Sequence, residues 1–122
     1  MKDNFKGMTV GQLVQEFFAL TMAQYRANLV DDIPKFTRLY RRMELLEQEL
    51  KRRPGDQRRA LLPLCDHENA HVRLRAAIAI LALAPEKARE TFQIISDRRE
   101  FPDAADAYGM LRALDQGTYV PN

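Results

Sequence analysis

Ala76 to Ala84 is apolar at every position, so a helix built from it has no polar side to turn toward water. Such a helix must be covered all round and belongs at the centre of a packed structure. The run is about half the length needed to cross a bilayer; it marks a buried helix, not a membrane anchor. Glycines are few, 5 in 122 residues, and no segment alternates Val, Ile and Thr as a strand does. The chain therefore reads as all-α and as a single domain over residues 1–122, large enough to bury a core without metal or disulfide support.

Caps and breakers divide the chain into about six helices. Residues 1–8 form an N-terminal tail, after which Thr9-Val10-Gly11-Gln12 fits a capping box. Val10, Leu13, Val14, Phe17, Phe18, Met22 and Tyr25 then recur at helical steps to about Leu29. Asp31-Asp32 followed by Ile33-Pro34 supplies a cap and a first-turn proline for a second helix. Its inner face is Phe36, Leu39, Tyr40, Met43, Leu46 and Leu50, and Pro54-Gly55 stops it. A short third helix from Asp56 carries Ala60, Leu61 and Leu62 and is disturbed by Pro63. The fourth begins near Asp66 or Asn69 and ends before Pro85. A fifth runs from Glu86 to about Arg98 with Ala88, Phe92 and Ile95 inward. Phe101-Pro102-Asp103 opens the sixth, with Ala107, Leu111 and Leu114 inward, Gly117 as its stop and 118–122 as a tail. Short connections make neighbouring helices antiparallel, giving three stacked hairpins with the second and sixth helices flanking the fourth.

An offset of 31 residues aligns Leu61 with Phe92, Leu64 with Ile95, Asp66 with Asp97, Ala76 with Ala107, Ile80 with Leu111 and Leu83 with Leu114. Two-helix solenoid repeats have units near that length. The set Asp66, Val72-Arg73, Ala76-Ala77 and Leu81 resembles the second half of a HEAT repeat, and the whole chain resembles small bacterial HEAT-like (HEAT/armadillo-like) domains of unknown function. The resemblance implies a right-handed α-α superhelix in which Asp66 and Arg73 help tie adjacent repeats together. The next repeat keeps Asp97 but has Asp103-Ala104 where Val-Arg would stand.

His67-Glu68-Asn69-Ala70-His71 also matches the H-E-x-x-H string of zinc hydrolases, in which two histidines one turn apart hold the metal and the glutamate activates water. The surrounding helix lengths argue against it. Glu86 and Glu90 resemble a third ligand in spacing, yet Glu90 lies only a few residues down the next helix, about 12 Å from the level of His71. Only Asp97 or Glu100 returns to the right height. If Asn69 caps the helix, His67 lies before it and the two imidazoles need not share a face. No metal and no cofactor is therefore assigned.

Other chemistry is sparse. No glycine-rich phosphate loop and no G-x-S-x-G elbow occurs. Cys65 reads as a small packed apolar residue, and Asp97, Glu100, Asp103 and Asp106 read as caps and first-turn charges of the sixth helix. The chain is not expected to be an enzyme.

The formal charge of +2 conceals a gradient, since residues 1–59 hold 12 Lys/Arg against 8 Asp/Glu and residues 60–122 hold 7 against 9. The first half is thus +4 and the second −2. The basic turn Lys51 to Arg59 offers Arg52, Arg53, Arg58 and Arg59 to an anionic partner, nucleic acid being the alternative use. Lys35, Arg38, Arg41 and Arg42 extend the positive charge along the second helix, interrupted by Glu44, Glu47 and Glu49, while Phe36 and Tyr40 sit at core spacing.

The expected function is non-catalytic protein binding or scaffolding. HEAT-like folds present helical surfaces that more often bind proteins than catalyse. Phe17 and Phe18 on the first helix, and Tyr108, Met110 and Leu111 on the sixth, leave apolar surface for a second copy of the chain or the tail Thr118-Tyr119-Val120-Pro121-Asn122 to cover, and a weak homodimer is expected. One cysteine and a polar N-terminus without an apolar h-region point to a reduced cytoplasm.

Overall fold

The computed structural model describes residues 5–122. Among them are five α-helices, α1 (Val10–Leu29), α2 (Ile33–Arg52), α3 (Ala70–Ile80), α4 (Pro85–Asp97) and α5 (Asp103–Gln116), with 3-10 helices at Phe5–Gly7 and Gln57–Asp66. The described residues contain no strand, and the fold is all-α. Two compact units divide the chain, one ending at Ala60 and one beginning at Leu61.

In the first unit, α1 starts from the expected capping box. Thr9 Oγ1 accepts from the Gln12 amide at 3.1 Å, and the Thr9 amide donates to Gln12 Oε1 at 2.9 Å. Leu13, Phe17, Leu20 and Ala27 are buried, and Thr21 joins them because its hydroxyl donates to the Phe17 carbonyl at 2.7 Å. Phe17 is therefore core and leaves no apolar excess. The helix closes with Asp31 in the left-handed region at φ 56°. The Asp31 and Asp32 amides there satisfy the Asn28 and Ala27 carbonyls. Asp32 then caps α2 by accepting from the Lys35 amide at 3.2 Å.

α2 packs against α1 as a helical hairpin and buries Met43, Leu46 and Leu50. Three residues expected on its inner face depart from that pattern: Phe36 and Leu39 are half-buried, and Tyr40 is 38% exposed. They lie in the first half of α2, whereas the buried residues of the helix fall in its second half, from Met43 on. Of the expected tail 1–8, residues 1–4 lie outside the described residues. Phe5–Gly7 is a 3-10 helix with Phe5 buried.

The expected third helix is a 3-10 helix, Gln57–Asp66, with Leu61 and Cys65 buried. Pro63 lies within it and lacks the amide that an α-helical turn would use. In the second unit, Asn69 caps α3 by accepting from the His71 and Val72 amides at 2.9 and 3.2 Å. His71 through Leu74, Ala76, Ala77, Ala79, Ile80 and Leu81 are all buried. The all-round apolar helix is thus covered nearly all round, with α4 and α5 packed against it.

α3 ends at Ile80, short of Pro85, because the Leu83 and Ala84 amides both turn back to the Ile80 carbonyl. Pro85 occupies the first turn of α4, whose Ala88, Thr91, Phe92 and Ile95 are buried. Arg99, at φ 55°, closes α4 as Asp31 closes α1. On α5 Ala104 and Ala107 are buried, while Leu111 and Leu114 are half-buried. Gly117 ends the helix in the left-handed conformation, at φ 73°. The N-cap position is Pro102 and no side chain caps α5, so of the roles expected for the acidic residues only that of first-turn charges is realised, by Asp103 and Asp106.

Candidate functional site

The polar side chains that attract attention in the sequence fall into two clusters, one in each unit. In the second unit, α3 opens beside the connection between α4 and α5. His71 is buried and donates from Nδ1 to Asp103 Oδ1 at 2.7 Å, with Asp103 also buried. Two residues along, Arg73 Nη1 and Nη2 meet Glu100 Oε2 and Oε1 at 2.9 and 2.7 Å. Its Nε donates to the His67 carbonyl at 2.7 Å, and Nη2 reaches the Glu68 carbonyl at 3.2 Å. A planar guanidinium suits this forked geometry, which an ammonium would not reproduce.

The electrostatics follow from these bonds. Hydrogen bonding by Arg73 holds the Glu100 carboxyl below its ordinary range against the opposing effect of burial. The same bond, with the nearby charges of Glu100 and Asp103, raises the already high value of Arg73. Arg73 therefore stays charged and fully committed to its own chain. Asp66 is exposed and pairs with Lys87 of α4 at 2.8 Å, and that hydrogen bond pushes the Lys87 ammonium up.

The H-E-x-x-H string does not form one helical face. His67 precedes α3, and its Nδ1 accepts from the Asn69 amide at 3.0 Å, whereas His71 lies within the helix and turns Nδ1 to Asp103. Among the described residues no group of three or more His, Cys, Asp or Glu side chains is arranged to hold a metal ion. Cys65 is buried, and desolvation pushes its thiol up, with the Thr91 hydroxyl opposing. A thiol in that setting is poorly nucleophilic.

The basic turn forms the second cluster. Arg52 and Arg53 both bond the carboxylate of Glu49, Arg53 through Nε at 2.8 Å. Arg53 Nη2 also donates to the carbonyls of Phe5 and Lys6 at 2.9 and 3.4 Å, and Arg42 lies over the Phe5 ring at 5.1 Å. These two arginines clamp the first 3-10 helix onto α2. Arg58 grips Asp56 with Nε and Nη2 at 2.9 and 2.7 Å, and Arg59 bonds the Gly55 and Asp56 carbonyls. The hydrogen bonds from Arg53 and Arg58 hold the Glu49 and Asp56 carboxyls, respectively, below their ordinary values.

Sequence reasoning picked the four arginines but missed the acceptors that engage them. Glu49 stands three and four residues before Arg52 and Arg53, a spacing that announces such pairing on a helix. The partners of His71 and Arg73 are 32 and 27 residues away. Only the estimate that Glu100 returns to the level of His71 hinted at them.

A crystal structure of the protein RPA1889 from Rhodopseudomonas palustris CGA009 is similar to this chain. It shares 44% sequence identity, with a TM-score of 0.96 and coverage of 99% of this chain and 100% of that one. No curated protein matches. Residues 11–115 match the model of the family described as "Domain of unknown function (DUF2019)". That span and the identity to RPA1889 place the chain in a family: it belongs to DUF2019.

Proposed function

We propose that the chain is a non-catalytic protein-binding module of the HEAT-like kind, a right-handed α-α superhelix that acts on another protein in the cytoplasm. The observation that carries this reading is how its reactive side chains are used. His71, Arg73, Arg53 and Arg58 are each bonded to carboxylates or carbonyls of their own chain, and Cys65 is buried. Groups spent on holding turns together are poorly placed to bind and transform a substrate.

The HEAT-like part of the reading draws support from Arg73. It follows Val72 and links the turn before α3 to Glu100 ahead of α5, in keeping with the tying role the resemblance gives it. Asp66 makes its own link to Lys87 of α4. Arg52, Arg53, Arg58 and Arg59 serve an anionic partner only by exchanging these internal acceptors, which weighs against a nucleic-acid role for that turn.

Affinity capture from the native host, with mass spectrometry of co-purified protein and nucleic acid and metal analysis of the same sample, tests the reading. A reproducible protein partner supports it. Nucleic acid alone, or stoichiometric zinc lost in His71→Ala, overturns it. Weak self-association belongs to the same reading, because Phe101 and Tyr108 are 69% and 53% exposed; sedimentation showing only monomer at millimolar concentration removes that element.

A further inference from the structure

We infer that the outer face of α2 is the docking surface and that it receives an acidic amphipathic helix of another protein. The inference deepens the protein-binding reading and rests on it. Pro34, Arg38, Arg41, Leu45, Gln48 and Arg52 recur at alternating steps of four and three residues. All six are exposed, on the side of α2 away from buried Met43, Leu46 and Leu50. That spacing keeps all six in one seam along the helix. From Pro34 to Arg52 it runs for about 27 Å, enough for a partner helix of five turns.

Two of the three charges on this seam are available, unlike those of the basic turn. Arg52 is held by Glu49, but among the described residues Arg38 and Arg41 make no hydrogen bond or ion pair. The seam carries no carboxylate; Glu44 stands on its flank. Leu45, 46% exposed, follows the two arginines along the seam, and Ile33, 60% exposed, borders its start. Two cations backed by exposed apolar side chains complement a helix bearing both carboxylates and leucines.

Other occupants fit less well. A nucleic-acid backbone gains nothing from Leu45 and Ile33 and is repelled by Glu44. A two-fold pairing of this chain with itself through the seam would bring two positively charged faces together.

The test uses two designed helical peptides of equal length with leucines at a and d positions, one flanked by glutamates and one by lysines. Fluorescence anisotropy with the full chain is expected to show binding of the acidic peptide only, weakening with salt. In Arg38→Glu/Arg41→Glu the acidic peptide should bind about tenfold or more weakly and the basic peptide should gain. Circular dichroism of the variant should match the parent, since neither arginine holds the fold. Equal affinity for the two peptides, tighter binding of a 20-base-pair duplex, or self-association lost in the variant overturns the inference.

The parent reading is separated by capture from the host. A protein partner recovered equally by parent and variant overturns this surface while leaving the protein-binding reading intact; a partner lost in the variant supports the surface.

Discussion

Arg73 and Glu100 meet edge to edge, with Nη1 to Oε2 at 2.9 Å and Nη2 to Oε1 at 2.7 Å, and the same guanidinium holds the carbonyls of His67 and Glu68. One side chain on α3 therefore fastens both the turn before its own helix and the connection that leads to α5. Removing the carboxylate leaves a nearly buried cation with two lost acceptors. Glu100→Ala is expected to cost about 2–3 kcal/mol, reduced from the full buried-pair value because Glu100 is partly exposed. Urea unfolding measures it, and a double-mutant cycle with Arg73→Met should return a coupling of about 1 kcal/mol or more. Additive effects would mean that the pair is not a unit.

The same bonds set the response to acid. Glu100, Glu49 and Asp56 all have folded values held below their ordinary ones, through hydrogen bonds from Arg73, Arg53 and Arg58 first. A depressed carboxyl contributes stability that is complete above its unfolded value, about 4.3 for glutamate and 3.9 for aspartate, and is lost as pH falls through the folded value. Unfolding free energy from these groups should hold from pH 7 to about 5 and decline below about 4. Glu100→Gln, which has no such carboxyl, should show a shallower decline. An identical slope would contradict the account.

Two helix ends use a non-glycine residue in the left-handed region where α5 uses Gly117. Arg99 is at φ 55°, with its amide bonded to the Ser96 carbonyl and the Glu100 amide to that of Ile95. A side chain there costs roughly 1–2 kcal/mol against right-handed backbone, partly offset by the greater freedom of glycine when unfolded. Arg99→Gly should therefore stabilise by about 0.5–1 kcal/mol, and Gly117→Ala should destabilise by about 1 kcal/mol. Thermal and urea unfolding of both variants check the opposed signs.

Local signals were the most legible in the sequence. Thr9 with Gln12, Asp32 before Pro34 and the Gly117 stop each involve residues within four positions, and each forms as its pattern implies. The run from Ala76 marked the covered helix as far as Leu81, because an apolar helix has no other stable place, but beyond the helix end Leu83 is 40% exposed. The distant polar partners were not legible, since nothing near His71 or Arg73 in sequence names Asp103 or Glu100. Tyr40 shows a subtler limit: an aromatic ring at the edge of the helical face stays 38% exposed, and the spacing alone did not separate that edge from the buried Met43, Leu46 and Leu50. Pro63 announced a disturbance without specifying that the whole of Gln57–Asp66 would wind as 3-10.

Cys65 supplies a last expectation that separates a packed thiol from a reactive one. It is 3% exposed at the end of the 3-10 helix, and burial pushes its thiol up despite the Thr91 hydroxyl. The thiolate is the reactive form, so both the small thiolate fraction and the missing access slow any reagent. At pH 8 the native chain should react with an aromatic disulfide on the order of a hundredfold more slowly than the same chain in urea. The native rate should rise with destabilising changes such as Glu100→Ala if reaction proceeds through opening, because the open population then grows. Cys65→Ala should preserve the fold at a cost of about 1 kcal/mol, since a small buried group leaves only a small void. Rapid stoichiometric modification of the native chain would instead place Cys65 among the reactive cysteines and reopen the assignment of a purely structural interior.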